Sequence, residues 1–299
     1  MERVQANGIE LAYDSFGEGD PLVLVMGLAG PRRMWPEEWC LGLAEEGFRV
    51  IRYDHRDVGC STWLQDAGTP DLPRLLVRRA LGLPVRTAYT LSDLAADLVG
   101  LLDALEIDAA HVVGGSMGGM VGQTLAIEHP HRLRSLTSML AGPGNRRFLL
   151  GKPHALRALL APFPEPGPAA VDHEVALLRL LNGSALPVDE GELRQIVTEA
   201  QADQRHPDAS ARHLAAVLAS GGRLRKLRSV TVPTLVINGT ADPLVSVAAG
   251  RATARAIPGA RLHLVEGMGH GLPRVAWPEL IEAIASHARG TERAATVAA

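Results

Sequence analysis

The chain has 299 residues, 46% of them hydrophobic, 21% charged and only 4% aromatic, with a formal net charge of −3. That balance suits one large α/β unit carrying an insertion and excludes disordered, fibrous and collagen-like classes. The mildly acidic charge and the scarcity of aromatic rings offer no general attraction to nucleic acid and no base-stacking surface, so no nucleic-acid partner is expected.

Cys40 and Cys60 are the only cysteines. They are too few for a zinc site or a disulfide framework, which points to a reducing, cytoplasmic compartment. Met1 to Gln5 show no charged-then-apolar leader, and no apolar run approaches the roughly 18 residues of a membrane helix. A soluble protein without a membrane span is therefore expected. Nothing in the sequence chooses between monomer and homodimer.

In chain order, Ile9 to Tyr13 alternate as an early antiparallel strand, ahead of a turn at Gly17-Glu18-Gly19-Asp20. Leu22 to Val25 and Arg49 to Tyr53 are apolar runs typical of strands covered on both faces, with a helical stretch over 36–47 between them. Residues 62–90 read as an irregular connection containing Pro and Arg. From Leu91 to Leu105 the apolar positions 91, 94, 98, 101, 102 and 105 follow a helical period, with Thr90 as N-cap and Asp93 in the first turn.

The apolar run Ala110 to Val113 then leads into Gly114-Gly115-Ser116-Met117-Gly118. This is G-x-S-x-G at a change from strand to helix, the layout of a nucleophile elbow. A serine hydroxyl is a poor nucleophile unless it is lifted onto a tight turn within reach of a base. Gly114 and Gly118 would let strand and helix approach, while Ser116 takes the strained backbone position.

Leu133 to Leu140, Thr234 to Ile237 and Arg261 to Val265 supply further strands, with helices at 246–256 and 278–288 and a frayed end over 291–299. Alternation of strand and helix implies a mostly parallel twisted sheet with helices on both faces. Residues 143–228 break the rhythm. They contain no convincing strand and show helical patterns at 174–182, 190–202 and 209–219. The expected organisation is an α/β core from 1–142 and 229–299, with 143–228 inserted as a helical cap over the sheet edge where open α/β folds bind ligands.

Two loops follow strands downstream of the serine. After Ile237 comes Asn238-Gly239-Thr240-Ala241-Asp242-Pro243, and after Val265 comes Glu266-Gly267-Met268-Gly269-His270-Gly271. Ser116, Asp242 and His270 thus stand in the chain order of a nucleophile, acid and base on post-strand loops. His270 would take the proton of Ser116, and Asp242 would orient the imidazole and stabilise its cation. The rival position for the acid, after Leu140, offers no carboxylate. Of the 11 histidines only His270 combines a post-strand loop with glycines on both sides. An oxyanion needs two N–H donors, expected from Met117, the residue after the nucleophile, and from Leu28 in the loop after Leu22 to Val25. The pocket is expected to be apolar, lined by Leu28, Met117, Leu244 and Phe148. Neither a metal nor a cofactor is expected.

With these residues assembled, the chain closely resembles the α/β-hydrolase superfamily over nearly its whole length. Tyr53 to Ser61 are similar to that family's D-x-R-G-x-G-x-S loop, with Asp57 where glycine is usual. That variant, together with Val25-Met26-Gly27 at the oxyanion strand and Gly267-Met268-Gly269-His270 around the base, resembles the aclacinomycin methylesterase branch. The resemblance implies an α/β-hydrolase fold with a cap, and removal of a methyl ester from an anthracycline. Asp54, His55 and Arg56 are expected to hold the loop beside the oxyanion strand rather than to react.

The residues themselves point to a serine carboxylic ester hydrolase acting on a small-molecule, largely apolar ester. They leave open a C–C bond hydrolase, a lactonase, a thioesterase, a cofactor-free perhydrolase, or a binding protein that has lost the chemistry. Serine at 116 argues against the members of the fold that attack with aspartate.

Overall fold

The structure, a computed structural model, describes residues 1–148, 151–161, 163–201 and 207–298. The chain begins with an antiparallel hairpin, β1 (Glu2–Ala6) and β2 (Ile9–Phe16), turned at Asn7 and Gly8, both of which have positive φ. It continues through β3 (Asp20–Val25), α1 (Glu37–Glu45), β4 (Phe48–Tyr53), α2 (Leu72–Ala80), α3 (Leu91–Ala104), β5 (Ala110–Gly115), α4 (Met117–Glu128) and β6 (Leu133–Met139). Four helices follow: α5 (Pro153–Leu159), α6 (Pro168–Asn182), α7 (Glu190–Gln201) and α8 (Pro207–Ser220). The chain then returns to β7 (Thr234–Gly239), α9 (Val247–Ala256), β8 (Arg261–Val265) and α10 (Trp277–Ala298).

The eight strands form one sheet in the order β1-β2-β4-β3-β5-β6-β7-β8, antiparallel at β1-β2-β4 and parallel from β4 to β8. Period-two alternation divides the core. Val23, Val25, Ile51, Tyr53 and Val112 face α3 and α4, while Leu22, Leu24, Val50 and Val113 face α1 and α10. The expected two-sided arrangement follows from this, since a strand buried on both faces cannot spare polar residues. At the start of α3 Thr90 stands at the expected N-cap position, and its N–H donates to Asp93 Oδ2 at 2.7 Å.

Three readings need correction. The 62–90 connection contains α2, whose start is marked by Asp71 accepting the Arg74 N–H at 3.0 Å. Leu75 of α2 packs on Ala215 and Leu218 of α8, so a contact distant in sequence supports a helix too short to stand alone. Glu2 to Ala6, to which the sequence reading assigns no element, form the strand β1. At the other end α10 continues to Ala298 instead of fraying from 291; residue 299, and the expected helix end at 202, lie outside the described residues.

The segment between β6 and β7 leaves and rejoins the sheet at neighbouring points, with the Arg223 N–H donating to the Pro143 carbonyl at 2.7 Å. Its helices lie over the C-terminal ends of the parallel strands, the edge on which the loops after β3, β5, β7 and β8 converge.

Candidate active site

β5 ends at Gly115, and Ser116 turns directly into α4 with φ 53° and ψ −117°. That region is costly for a residue with a side chain, and it persists only where the surroundings enforce it. The enforcement is visible. The Ser116 N–H donates to the Met139 carbonyl of β6 at 2.9 Å. A Cβ on Gly118 would collide with the Val25 carbonyl, and one on Gly114 with the Gly118 carbonyl. Both glycines are thus required by close backbone approach, as the motif implies.

The loops after β7 and β8 are similarly locked together. A Cβ on Gly239 would strike the Met268 carbonyl, while the Ala241 N–H donates to that same carbonyl at 3.0 Å. The Gly267 N–H donates to Thr240 Oγ1 at 2.8 Å. Asp242 is thereby held with Oδ1 accepting the N–H groups of Leu244 and Val245, at 2.7 and 2.8 Å. Its other oxygen, Oδ2, accepts His270 Nδ1–H at 2.8 Å. The far ring nitrogen, His270 Nε2, lies 2.9 Å from Ser116 Oγ, placed to accept the hydroxyl proton. The Asp242 side chain is fully buried and that of His270 is 9% exposed, so solvent competes little for these bonds.

The loop after β3 passes close to the serine. Gly27 lies so near that a Cβ there would be 3.3 Å from Ser116 Cβ. Among the described residues the Leu28 and Met117 backbone N–H groups donate to no protein acceptor. Both residues line the same cavity as Ser116 and His270.

Asp54, His55 and Arg56 serve the scaffold around this loop. Asp54 accepts the Arg32 N–H and Nη1, both at 2.6 Å, and the Cys60 N–H at 2.9 Å. Burial pushes the Asp54 carboxyl upward despite these partners. Arg56 donates to Asp97 Oδ2 at 2.6 Å, and His55 Nε2 donates to the Met26 carbonyl at 3.0 Å. None of the three lines the cavity.

The cavity above Ser116 has a volume of about 1410 Å³. Met26, Leu28, Trp35 and Met117 line it from the core, and Phe148, Leu178, Leu181 and Leu214 from the inserted segment, with Leu244 beside Asp242. Polar groups interrupt the apolar wall: Arg79, Arg146, Arg147, His173, Glu174, Asn182, Asp189 and Ser210, and an ion pair between Arg274 and Glu192. Among the described residues no cluster of three or more His, Cys, Asp or Glu side chains could hold a metal ion, and no helix is long and apolar enough to cross a membrane.

Sequence reasoning missed Arg212 and His213 on α8. They are buried, and bond to Asp57 and to the backbone of Ala29 and Arg56. The available signal was Asp57 itself, since a carboxylate in a glycine's place inside a buried loop calls for a cation.

Residues 20–273 match the family model described as the alpha/beta hydrolase fold. The chain is 34% identical to the rhodomycin D methylesterase DnrP of Streptomyces peucetius over 303 residues, covering 94% of this chain and 96% of that protein. Among solved structures it resembles a hydrolase from Pseudomonas aeruginosa PA01, with a TM-score of 0.68, 25% identity and 97% of each chain covered. It also shares its fold with the meta-cleavage product hydrolase of Pseudomonas fluorescens IP01, at TM-score 0.72 and 20% identity, covering 96% of this chain and 97% of that one.

Proposed function

The chain belongs to the α/β-hydrolase family and is an ester-hydrolysing enzyme, and we propose that it works through a Ser116-His270-Asp242 triad and an acyl-enzyme. The observation that carries this reading is the continuous hydrogen-bonded line from Asp242 through His270 to Ser116, 2.8 and 2.9 Å long, opening on the cavity. As Ser116 Oγ attacks the acyl carbon, its proton passes to His270 Nε2. The carbonyl π pair moves onto oxygen, and the oxyanion is met by the N–H groups of Leu28 and Met117. On collapse the ester C–O bond breaks, and His270 returns the proton to the alkoxide, which leaves as alcohol. Water then attacks the acyl-enzyme by the same route, releasing the acid and restoring the Ser116 hydroxyl. Asp242 stays ionised throughout and holds Nδ1–H, so that Nε2 is the free base.

For the substrate, the reading is a methyl ester of a polycyclic aromatic polyketide. Two observations support it: the methylesterase relative, and a cavity of about 1410 Å³, larger than the roughly 300–1,000 Å³ of ordinary small-ligand sites. Residues 143–228 then act as the cap, with Phe148 and Leu244 in the substrate wall. A panel of esters, lactones, thioesters and C–C substrates tests this. Methyl esters of polycyclic acids should give the highest kcat/KM, and a strong preference for long-chain acyl esters or for a non-ester class would overturn the substrate assignment.

A further inference from the structure

Consecutive residues of α8, Arg212 and His213, are both buried and reach different loops of the core. Arg212 Nε and Nη2 grip the Asp57 carboxylate at 2.8 and 3.0 Å, and Nη1 donates to the Gly68 carbonyl at 3.1 Å. His213 bridges two backbones. Its Nδ1 accepts the Ala29 N–H at 3.0 Å and its Nε2–H donates to the Arg56 carbonyl, also at 3.0 Å.

Both grips fall on backbone that would otherwise relax. Asp57 and Ala29 have φ of 66° and 52°, a region usually left to glycine. Ala29 is the third residue of a turn closed by the Gly30 N–H on the Gly27 carbonyl at 3.3 Å. An alanine there favours a flip of the Leu28–Ala29 peptide toward negative φ, which changes the Leu28 ψ and strains the adjoining Gly27–Leu28 peptide that carries the Leu28 N–H. The hydrogen bond to His213 opposes that rotation. Burial, and the neighbouring His55 ring, hold His213 down to about 3, so the imidazole is neutral and Nδ1 remains an acceptor. Edge contacts with His55 and Tyr89, at centroid distances of 5.7 and 6.0 Å, fix the ring.

We propose that His213 is a positioning residue for the oxyanion-binding turn, holding the Leu28 N–H in place beside Ser116 from a helix of the inserted segment. The proposal rests on the reading above in which Leu28 is an oxyanion donor. It makes α8 part of the catalytic framework, with the Arg212–Asp57 pair setting its depth.

The test compares His213→Asn, His213→Gln and His213→Phe with the native enzyme. Asparagine presents an acceptor where Nδ1 lies, glutamine a donor where Nε2 lies, and phenylalanine neither. The measurements are kcat and KM on p-nitrophenyl butyrate, active sites by titration, and Ki for an alkyl trifluoromethyl ketone, whose adduct with Ser116 carries the oxyanion. The Gln and Phe variants should lose about tenfold or more in kcat per active site, with KM changed less than about twofold. The ketone Ki should rise by the same factor, and Asn should recover most of both. Unchanged Ki and kcat per active site, with only fewer active molecules, would mean that His213 merely supports the fold. Gln matching or exceeding Asn would equally overturn the proposal. Failure of the reading beneath it looks different: the native enzyme would not bind the ketone, or Ser116→Ala would stay active.

Discussion

At the floor of the cavity the loops meet so closely that a Cβ on Gly118 or Gly239 would strike a carbonyl of the next loop, whereas α5, α6 and α7 meet the cavity chiefly through apolar side chains such as Leu159, Leu177 and Ile196. Below, backbone contacts fix Ser116, Asp242 and His270 in place; above, mostly apolar side chains line the cavity. Backbone collisions admit no gradual adjustment, while an apolar wall tolerates exchange of one hydrophobe for another. One protein can therefore keep its chemistry while its substrate changes. The exception above is α8, which reaches the loops of the core through Arg212 and His213.

The contrast breaks most sharply at Ser116. Ser116→Ala should lower kcat on p-nitrophenyl butyrate by at least about four orders of magnitude, with an unchanged circular dichroism spectrum. Asp242→Asn should cost about 10⁴ in kcat, because the amide no longer selects the tautomer with Nε2 free. If that variant keeps near-native kcat while another carboxylate variant is dead, the acid lies elsewhere.

At the boundary between the regions, Asp57→Ala leaves the Arg212 guanidinium buried without its carboxylate. In the native protein burial works to raise the Asp57 pKa, but the bonds from Arg212 and the Leu64 N–H outweigh it and hold the carboxyl below its usual range. Loss of the pair should remove about 3–5 kcal/mol of unfolding free energy, read from urea denaturation.

Acid should loosen the same boundary. Burial holds His55 to about 4 and His213 to about 3, against 6.5 in an unfolded chain. Between those values the unfolded state binds the extra protons, so stability is intact above pH 6.5 and drains as the pH falls. Each group contributes at most about 1.4 kcal/mol per pH unit. His111 and His287, also held to about 4 by burial, add to the slope. A urea series from pH 7.5 to 4.5 reads it, and His213→Phe should flatten it.

The smallest effect belongs to the wall. Phe148→Ala should raise KM for a polycyclic methyl ester by about tenfold, consistent with losing roughly 1–2 kcal/mol of apolar contact, and leave p-nitrophenyl acetate turnover unchanged.

The floor was legible in the sequence because its constraints are local. Glycines flank Ser116, and Asp242 and His270 each follow an apolar strand, so period, turn and chain order agree without any long-range contact. Alternation likewise gave the two-faced parallel sheet. The inserted segment was legible only as helical, because leucines on α6 and α7 mark a buried face without saying what it faces. α2 escaped notice although Asp71 caps it, since its support comes from α8, more than a hundred residues away. His213 escaped for the same reason. Its partners, Ala29 and Arg56, are backbone groups brought near by the fold, and no spacing in the chain records them.

The most direct test of the account is intact-protein mass spectrometry and peptide mapping after treatment with a fluorophosphonate. One adduct per chain is expected, on Ser116, forming in step with loss of esterase activity and absent from Ser116→Ala. Folded protein that gains no adduct at Ser116, or that keeps its activity with the adduct in place, would contradict it.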